Sequence, residues 1–213
     1  MTPDQTMEAG SFALIAHDLK NALGSLEAEL ASLIDDPSPV VAHSAYLHCT
    51  ELRRQFVQFL TLYGTQEPLQ ARSEDESPAE MLEAMHRSAQ LRRLTQGTAP
   101  EIALRIEADA PAYWFFDRRL VQLALDAAIH NASRFAKSMV TMSLREENGY
   151  LVFVIDDDGP GLGAHDPSKH STGLGTELCK SVAQAHRCGE RHGQISLANR
   201  PDGGGARFEL WLP

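Results

Sequence analysis

The stretch Leu151-Val152-Phe153-Val154-Ile155-Asp156-Asp157-Asp158-Gly159-Pro160-Gly161-Leu162 decides the fold. An apolar, largely β-branched run passes directly into consecutive carboxylates and then two glycines, which is how a buried strand ends in a tight turn. Just upstream Val140, Met142 and Leu144 alternate, and Asn148-Gly149 separates the two runs. That dipeptide favours a two-residue hairpin, because both of its residues tolerate positive φ, so an antiparallel pair inside a sheet is expected. Working outward, residues 174–185 read as a helix, and residues 195–198 and 206–212 as two closing strands around a turn at 201–205. On the other side, Asp117 caps an expected helix over residues 118–136. Ile102, Leu104 and Ile106 alternate as a strand, for which the aromatic run 113–116 is the expected hairpin partner. Residues 78–94 are periodic for a helix, with Ser77 as N-cap and Glu80 in the capping-box position. Residues 78–213 are thus expected to form a layer of helices on a mostly antiparallel sheet.

Ahead of that domain the period changes. Phe12, Ile15, Leu19, Ala22 or Leu23, Leu26, Leu30 and Leu33 step by three and four, the seam of a helix in a bundle. Asp35-Asp36-Pro37-Ser38-Pro39 breaks it, since closely spaced prolines cannot sit inside a helix. A second stripe follows at Val41, Ala45, His48, Leu52, Phe56, Phe59 or Leu60, and Tyr63, and Gly64 ends it. Residues 1–64 are therefore expected to form a helical hairpin. Two helices are usually too small a unit to stand alone, and pairing with a second copy would give a four-helix bundle. Residues 65–77, polar and carrying Pro68 and the acidic run 74–76, read as a linker.

Composition limits the functions open to such a chain. It has 213 residues and 23.4 kDa, 43% hydrophobic and 23% charged, enough for packed cores in one or two domains. A formal net charge of −10 disfavours nucleic acid and anionic lipid as partners. Cys49, Cys179 and Cys188 form no disulfide framework, which fits a reducing cytoplasm. No run reaches the length of a membrane-spanning helix, and residues 1–10 are too polar for a signal peptide.

Four groups of residues carry chemistry. In His17-Asp18-Leu19-Lys20-Asn21, helical geometry turns His17 roughly 200° from both Ile15 and Leu19, so it projects away from the seam. An exposed helix histidine is ordinarily a solvated side chain. Here Asp18 stands beside it, able to fix its tautomer and accept its proton when the imidazole attacks phosphorus. Asn21, one turn on, lies on the same face and could orient a water for hydrolysis. The second group is the turn at Asp157, Gly159 and Gly161. It is open to reading as an ordinary acidic turn, but a carboxylate at a strand end can accept the exocyclic amine of adenine, and glycines let the backbone pass close to a base. The third is Thr172-Gly173-Leu174-Gly175, leading into a helix whose free N–H groups suit a polyphosphate. The fourth is Asn131, with Arg134 and Phe135 beyond it, offering an amide oxygen for Mg2+, a guanidinium for phosphate and a ring for a base.

In this order and spacing the motifs resemble those of the sensor histidine kinases of two-component systems. The resemblance rests on the phosphoacceptor run at His17, the asparagine helix His130-Asn131-Ala132-Ser133-Arg134-Phe135, the Asp157-x-Gly159-x-Gly161 turn and the Gly173-x-Gly175 helix start. It extends to the closing Phe208-Glu209-Leu210-Trp211-Leu212-Pro213. It implies an α+β chain: a two-helix hairpin forming a dimeric four-helix bundle, followed by an α/β sandwich ATP-binding domain of the type shared with gyrase B and Hsp90. It assigns phosphoryl acceptance to His17, the general base to Asp18, support of dephosphorylation to Asn21, a Mg2+ ligand to Asn131 and adenine recognition to Asp157. Gly159, Gly161, Lys169, Thr172, Gly173, Leu174 and Gly175 would border ATP, as would Arg134 and Phe135. The implied partners are a second copy of the chain, the receiver domain of a response regulator, and a separate sensor, since no sensor module is recognisable here.

The sequence also departs from the family. Ala127 stands where a second asparagine is usual. Residues 163–172, the expected lid, lack the usual phenylalanine-bearing segment and hold Lys169 as their only cation. Ala22 replaces a proline, and residues 188–192 are inserted, where His186, Cys188 and His192 offer at most an incomplete metal set. Ala127 and the short lid keep an alternative open: a histidine phosphotransfer protein with a degenerate ATP site, relaying phosphoryl between response regulators. A third reading is a binding module that sequesters a regulator through the hairpin.

Overall fold

The computed structural model describes residues 3–64, 67–96, 99–107, 110–163 and 173–213. The chain divides into two compact units, one built on the hairpin up to Glu67 and taking in Leu174, the other holding the described residues from Pro68 to Gly163 and from Gly175 to Pro213.

The hairpin is α1 (Pro3–Asp35) and α2 (Pro39–Tyr63). Its break is local chemistry: Ser38 is extended at φ −126°, its Oγ accepts the Val41 N–H at 3.4 Å, and Pro39 opens the next helix. Gly64 closes α2, its N–H donating to the Leu60 carbonyl at 2.9 Å. Ile15, Leu19 and Leu26 of α1 are buried with Ala45 and Leu52 of α2. Phe12, Phe59 and Tyr63 meet at the open end, with ring centroids 5.1 to 5.8 Å apart. The expected seam is not buried throughout, because Phe12, Leu23 and Leu30 remain exposed. Two helices cover one stripe, and the flanking apolar positions find nothing to pack on within the hairpin.

The second unit contains β1 (Glu74–Glu76), α3 (Pro78–Gln96), β2 (Glu101–Ile106), β3 (Trp114–Phe116), α4 (Arg118–Phe135), β4 (Met139–Glu147) and β5 (Tyr150–Asp157). After these come α5 (Leu174–Ala185), the short pair β6 (Arg187–Cys188) and β7 (Arg191–His192), and finally β8 (Gln194–Asn199) and β9 (Ala206–Leu212). The main sheet runs β2-β4-β5-β9-β8. It is antiparallel as expected, save that β2 lies parallel to β4. Two expectations are corrected here. β3 is not the partner of β2; it pairs with β1, so residues 74–76, read as linker, form a strand against Trp114–Phe116. The inserted residues 188–192 lie in the small β6–β7 hairpin.

At the Asn148-Gly149 turn, φ is +54° and +73°, the left-handed pair that the dipeptide favours. α3 and α4 pack on the sheet. α4 presents Leu120, Val121, Ala124, Leu125, Ala128 and Ile129 to the core, where Met81, Leu82, Val140, Met142, Leu144, Phe153 and Ile155 are also buried. α5 docks on α4 through Cys179, whose thiol lies 3.3 Å from the Ala124 carbonyl and whose pKa burial pushes up to about 12. This packing brings the end of α4 to the turn that ends β5.

Candidate functional site

On α1, His17 is exposed, with 63% of its side chain accessible, as its angle from the seam requires. Nδ1 lies 3.1 Å from the Asn21 amide nitrogen and 3.8 Å from Asp18 Oδ1. Both contacts fall on Nδ1, which leaves Nε2 without a partner among the described residues. The tautomer then decides reactivity. If Nδ1 accepts from Asn21, the ring proton sits on Nε2 and blocks attack there. If Nδ1 carries the proton, directed at Asp18 or at an Asn21 amide turned to present its oxygen, the Nε2 lone pair faces solvent.

The second cluster lies at the end of β5. Asp157 is buried, and its Oδ1 accepts the Gly159 N–H at 2.8 Å and the Ala206 N–H at 3.3 Å. Oδ2 makes no hydrogen bond among the described residues, so it is the oxygen left to receive a donor. The glycines are required by close approach. A Cβ on Gly159 would stand 2.3 Å from the Phe135 carbonyl oxygen, and one on Gly205 would stand 2.0 Å from the Asp157 carbonyl oxygen. Gly161 has φ +86°, and Asn199 Oδ1 sits 2.6 Å from where its Cβ would be. α4 thus delivers Phe135 directly against the turn. Arg134 places its guanidinium carbon 5.6 Å from the Phe135 ring centroid, and Asn131 is exposed one turn earlier on the same helix.

The next residue, Asp158, closes the turn onto the loop after α4. Its carboxylate accepts the Lys137 N–H at 2.8 Å, the Ser138 N–H at 3.0 Å and the Ser138 hydroxyl at 2.6 Å. Desolvation disfavours the charge, but hydrogen bonds from the Ser138 hydroxyl and from the amides of Ser138, Met139 and Lys137 outweigh it and hold the carboxyl well below the usual range.

The start of α4 is fixed from two directions. Asp117 accepts the Leu120 N–H at 3.0 Å as N-cap and the Arg72 N–H at 2.9 Å. Its own N–H donates to His186 Nε2 at 3.0 Å, while His186 Nδ1 donates to the Val182 carbonyl at 2.7 Å. Both ring nitrogens are therefore occupied within the fold, which removes His186 from any metal set. Among the described residues no group of three His, Cys, Asp or Glu could hold a metal ion.

Of the residues marked in the sequence, the fold brings together Asp157, Gly159 and Phe135, with Arg134 on the Phe135 ring. Asn131 shares their helix. Gly173 adopts φ +71° immediately before α5, Leu174 is buried as its first residue, and Gly175 follows within the helix. Lys169 and Thr172 lie outside the described residues, as does most of the expected lid. Ala127, where an asparagine would have been a second polar donor, is buried. Sequence reading passed over Asp158, Asn199, Arg200 and Ala206. The signal for Arg200 and Ala206 was present in Asp202-Gly203-Gly204-Gly205, a run whose glycine excess exceeds what a simple turn needs.

Residues 116–213 match the family described as histidine kinase-, DNA gyrase B- and HSP90-like ATPase. Over 140 residues the chain is 27% identical to the alginate biosynthesis sensor protein KinB of Pseudomonas aeruginosa, covering 59% of this chain and 22% of that protein. Over 135 residues it is 27% identical to the sensor protein RstB of Escherichia coli, covering 55% of this chain and 30% of RstB. It thus spans less than a third of either relative. Among solved structures, Acinetobacter baumannii histidine kinase AdeS superposes with a TM-score of 0.66 at 24% identity, covering 92% of this chain and 96% of that one. Histidine kinase ThkA, solved in complex with response regulator protein TrrA, gives 0.69 at 15% identity, over 94% of this chain and 60% of that one. No helix among the described residues is long and apolar enough to cross a membrane. Residues 116–213 thus match the histidine kinase-, gyrase B- and HSP90-like ATPase family, and the chain that carries them behind a helical hairpin is similar in sequence and in fold to sensor histidine kinases.

Proposed function

We propose that this chain is a two-component histidine kinase: it binds Mg2+-ATP in the second unit, phosphorylates His17 on Nε2, and passes the phosphoryl group to an aspartate in the receiver domain of a response regulator. The observation that carries this reading is His17 itself, solvent-facing on the hairpin with Asp18 and Asn21 both at Nδ1 and Nε2 unencumbered.

In the transfer, the Nε2 lone pair forms the N–P bond as the bond from the γ-phosphorus to the β,γ-bridging oxygen breaks, and ADP departs with that electron pair. Asp18 takes or shares the Nδ1 proton, which offsets the positive charge that the ring would otherwise acquire. Asp157 Oδ2 accepts the adenine amine, and Gly159 and Gly161 let the backbone lie close to the base. The chain's own donor set suits Mg2+ sparsely, with Asn131 supplying an amide oxygen and Ala127 nothing. That is compatible with an ion held mainly by phosphate oxygens and water, which would neutralise charge on the triphosphate. The exposed apolar positions of α1 and α2 support a homodimer through the hairpin. Input would then come from a separate sensor or from a longer protein, and the setting would be cytoplasmic. A complex between ThkA and TrrA in the same fold supports the choice of partner.

Ala127 favours a second reading, a phosphotransfer relay whose ATP site no longer works. Incubation with γ-labelled ATP separates the two. The kinase reading expects acid-labile, base-stable label in the wild type, none in His17→Ala, and sharply reduced label in Asn131→Ala. Label persisting in His17→Ala would overturn the assignment. Absence of ATP binding, with label acquired only from a phosphorylated receiver, would establish the relay.

A further inference from the structure

The turn after β5 is gripped at both ends by side chains outside the residues assigned to nucleotide contact. Near its start, Asp158 binds the Lys137 and Ser138 amides and the Ser138 hydroxyl, tying the turn to the loop that leaves α4. At its far end Asn199 Oδ1 accepts the Leu162 N–H at 2.6 Å and occupies the place that a Cβ on Gly161 would take. Asn199 pairs with Ala206 across β8 and β9, and the Ala206 N–H is one of the two donors on Asp157 Oδ1. A single rung of that ladder therefore holds both ends of the turn. The Arg200 guanidinium adds a bond to the Asp157 carbonyl at 3.2 Å.

The direction of the open oxygen on Asp157 is set by the two amides on its other oxygen, those of Gly159 and Ala206. Gly159 stays within reach only while its backbone lies against the Phe135 carbonyl, which is the approach that the Asp158 bonds to Lys137 and Ser138 maintain. We infer that Asp158 and Asn199 are positioning residues for purine recognition, holding the Asp157–Leu162 turn in register with α4 on one side and with the β8–β9 ladder on the other. This rests on the reading of Asp157 as the purine-binding carboxylate. Neither residue supplies an atom to the nucleotide. Their effect falls on the base end of the site and not on the triphosphate.

The test is calorimetric binding of ATP, ADP and adenosine to the full chain, in the wild type and in Asp158→Ala, Asp158→Asn, Asn199→Ala, Asn199→Asp and Asn131→Ala. Each alanine variant at 158 or 199 is expected to weaken all three ligands by the same factor, about tenfold, the scale of one lost hydrogen bond to a charged or buried group. Asparagine at 158 and aspartate at 199 keep the accepting oxygen and are expected to restore affinity. Asn131→Ala should weaken ATP more than adenosine, which marks the phosphate end. KM for ATP should rise in the alanine variants while kcat at saturating ATP holds. Unchanged affinity in both alanine variants would overturn the inference, as would a loss that the conservative variants do not rescue or a loss confined to ATP. A wild type that binds none of the three ligands would sink the nucleotide reading itself, a different failure from a wild type that binds beside variants that are unaffected.

Discussion

In the nucleotide unit Phe116, Phe153, Leu82, Leu125, Met142 and Leu144 are closed off from solvent, whereas the hairpin leaves Leu30, Ile34, Val40, Tyr46 and Leu60 half or more exposed. The two regions are made of similar apolar residues and differ in architecture. A five-stranded sheet with helices packed on it can enclose both ends of a side chain, while two helices can enclose only the stripe between them. The nucleotide unit completes its own core. The hairpin completes half of one and keeps His17, the proposed phosphoacceptor, on the outside, so the proposed chemistry and the missing packing share the same small element.

That contrast can be broken first at the chemistry. His17→Ala should abolish phosphorylation entirely while ATP affinity and the unfolding of either unit stay as in the wild type, read by label incorporation beside calorimetry. Loss of nucleotide binding in this variant would mean that the two functions are not carried separately. Next in size is the closed core. Phe153→Ala, at a fully buried ring that meets Phe116 edge-on at 6.0 Å, should cost about 3 to 5 kcal/mol. Both tryptophans, Trp114 and Trp211, lie in this unit, so their fluorescence follows its denaturation alone. Leu60→Ala on the hairpin should cost under about 0.5 kcal/mol in the monomer and should act instead on self-association, lowering the concentration dependence of sedimentation. A large intrinsic loss there would contradict its exposure. Smaller than the core effect is Gly159→Ala. The added methyl meets the Phe135 backbone and not a flexible side chain, so the turn must shift, and nucleotide affinity should fall by more than about tenfold with little change in melting.

Where the sequence was legible, the signal was local. Pro37 and Pro39 end one helix and begin another, Asp117 caps α4 with its own side chain, and Asn148-Gly149 needs only its two φ angles to make a hairpin. Where it was not, the deciding contact lay far away along the chain. Ile102, Leu104 and Ile106 announce a strand but not its neighbour. The aromatic run that begins seven residues after Ile106 is the expected partner because proximity is the only cue available, yet α4 carries the chain across to the parallel strand β4. Glu74-Asp75-Glu76 gave no strand signal at all, since β1 pairs along one edge with β3 and two of its three side chains stay exposed. The same division runs through the site. Asp157 and its glycines are a contiguous string, whereas Asn199 acts on Leu162 from 37 residues away. Nothing around Asn199 alone distinguishes it from any polar residue at a strand end.

His186 belongs to this second kind, and its expected effect is on the pH dependence of stability. Its ring is buried and neutral, with Nδ1–H given to Val182 and Nε2 accepting from Asp117 N–H. Burial is the leading influence and lowers its pKa, while the Val182 bond and the Asp117 charge oppose it only in part. Protonation would also put a hydrogen on Nε2, where the Asp117 amide already points its own. The folded chain therefore binds this proton less readily than the unfolded one, whose imidazole titrates near about 6.5. Stability from this group is complete above that value and declines as pH falls from there through the lower folded value, with a slope of at most about 1.4 kcal/mol per pH unit. Tryptophan-monitored melting between pH 7.5 and 5 should show the decline, and His186→Gln should melt lower at neutral pH but with a flatter dependence. An unchanged slope in that variant would transfer the acid sensitivity of the nucleotide unit to its carboxylates, leaving the Asp117 contact as a cap anchor without a role in titration.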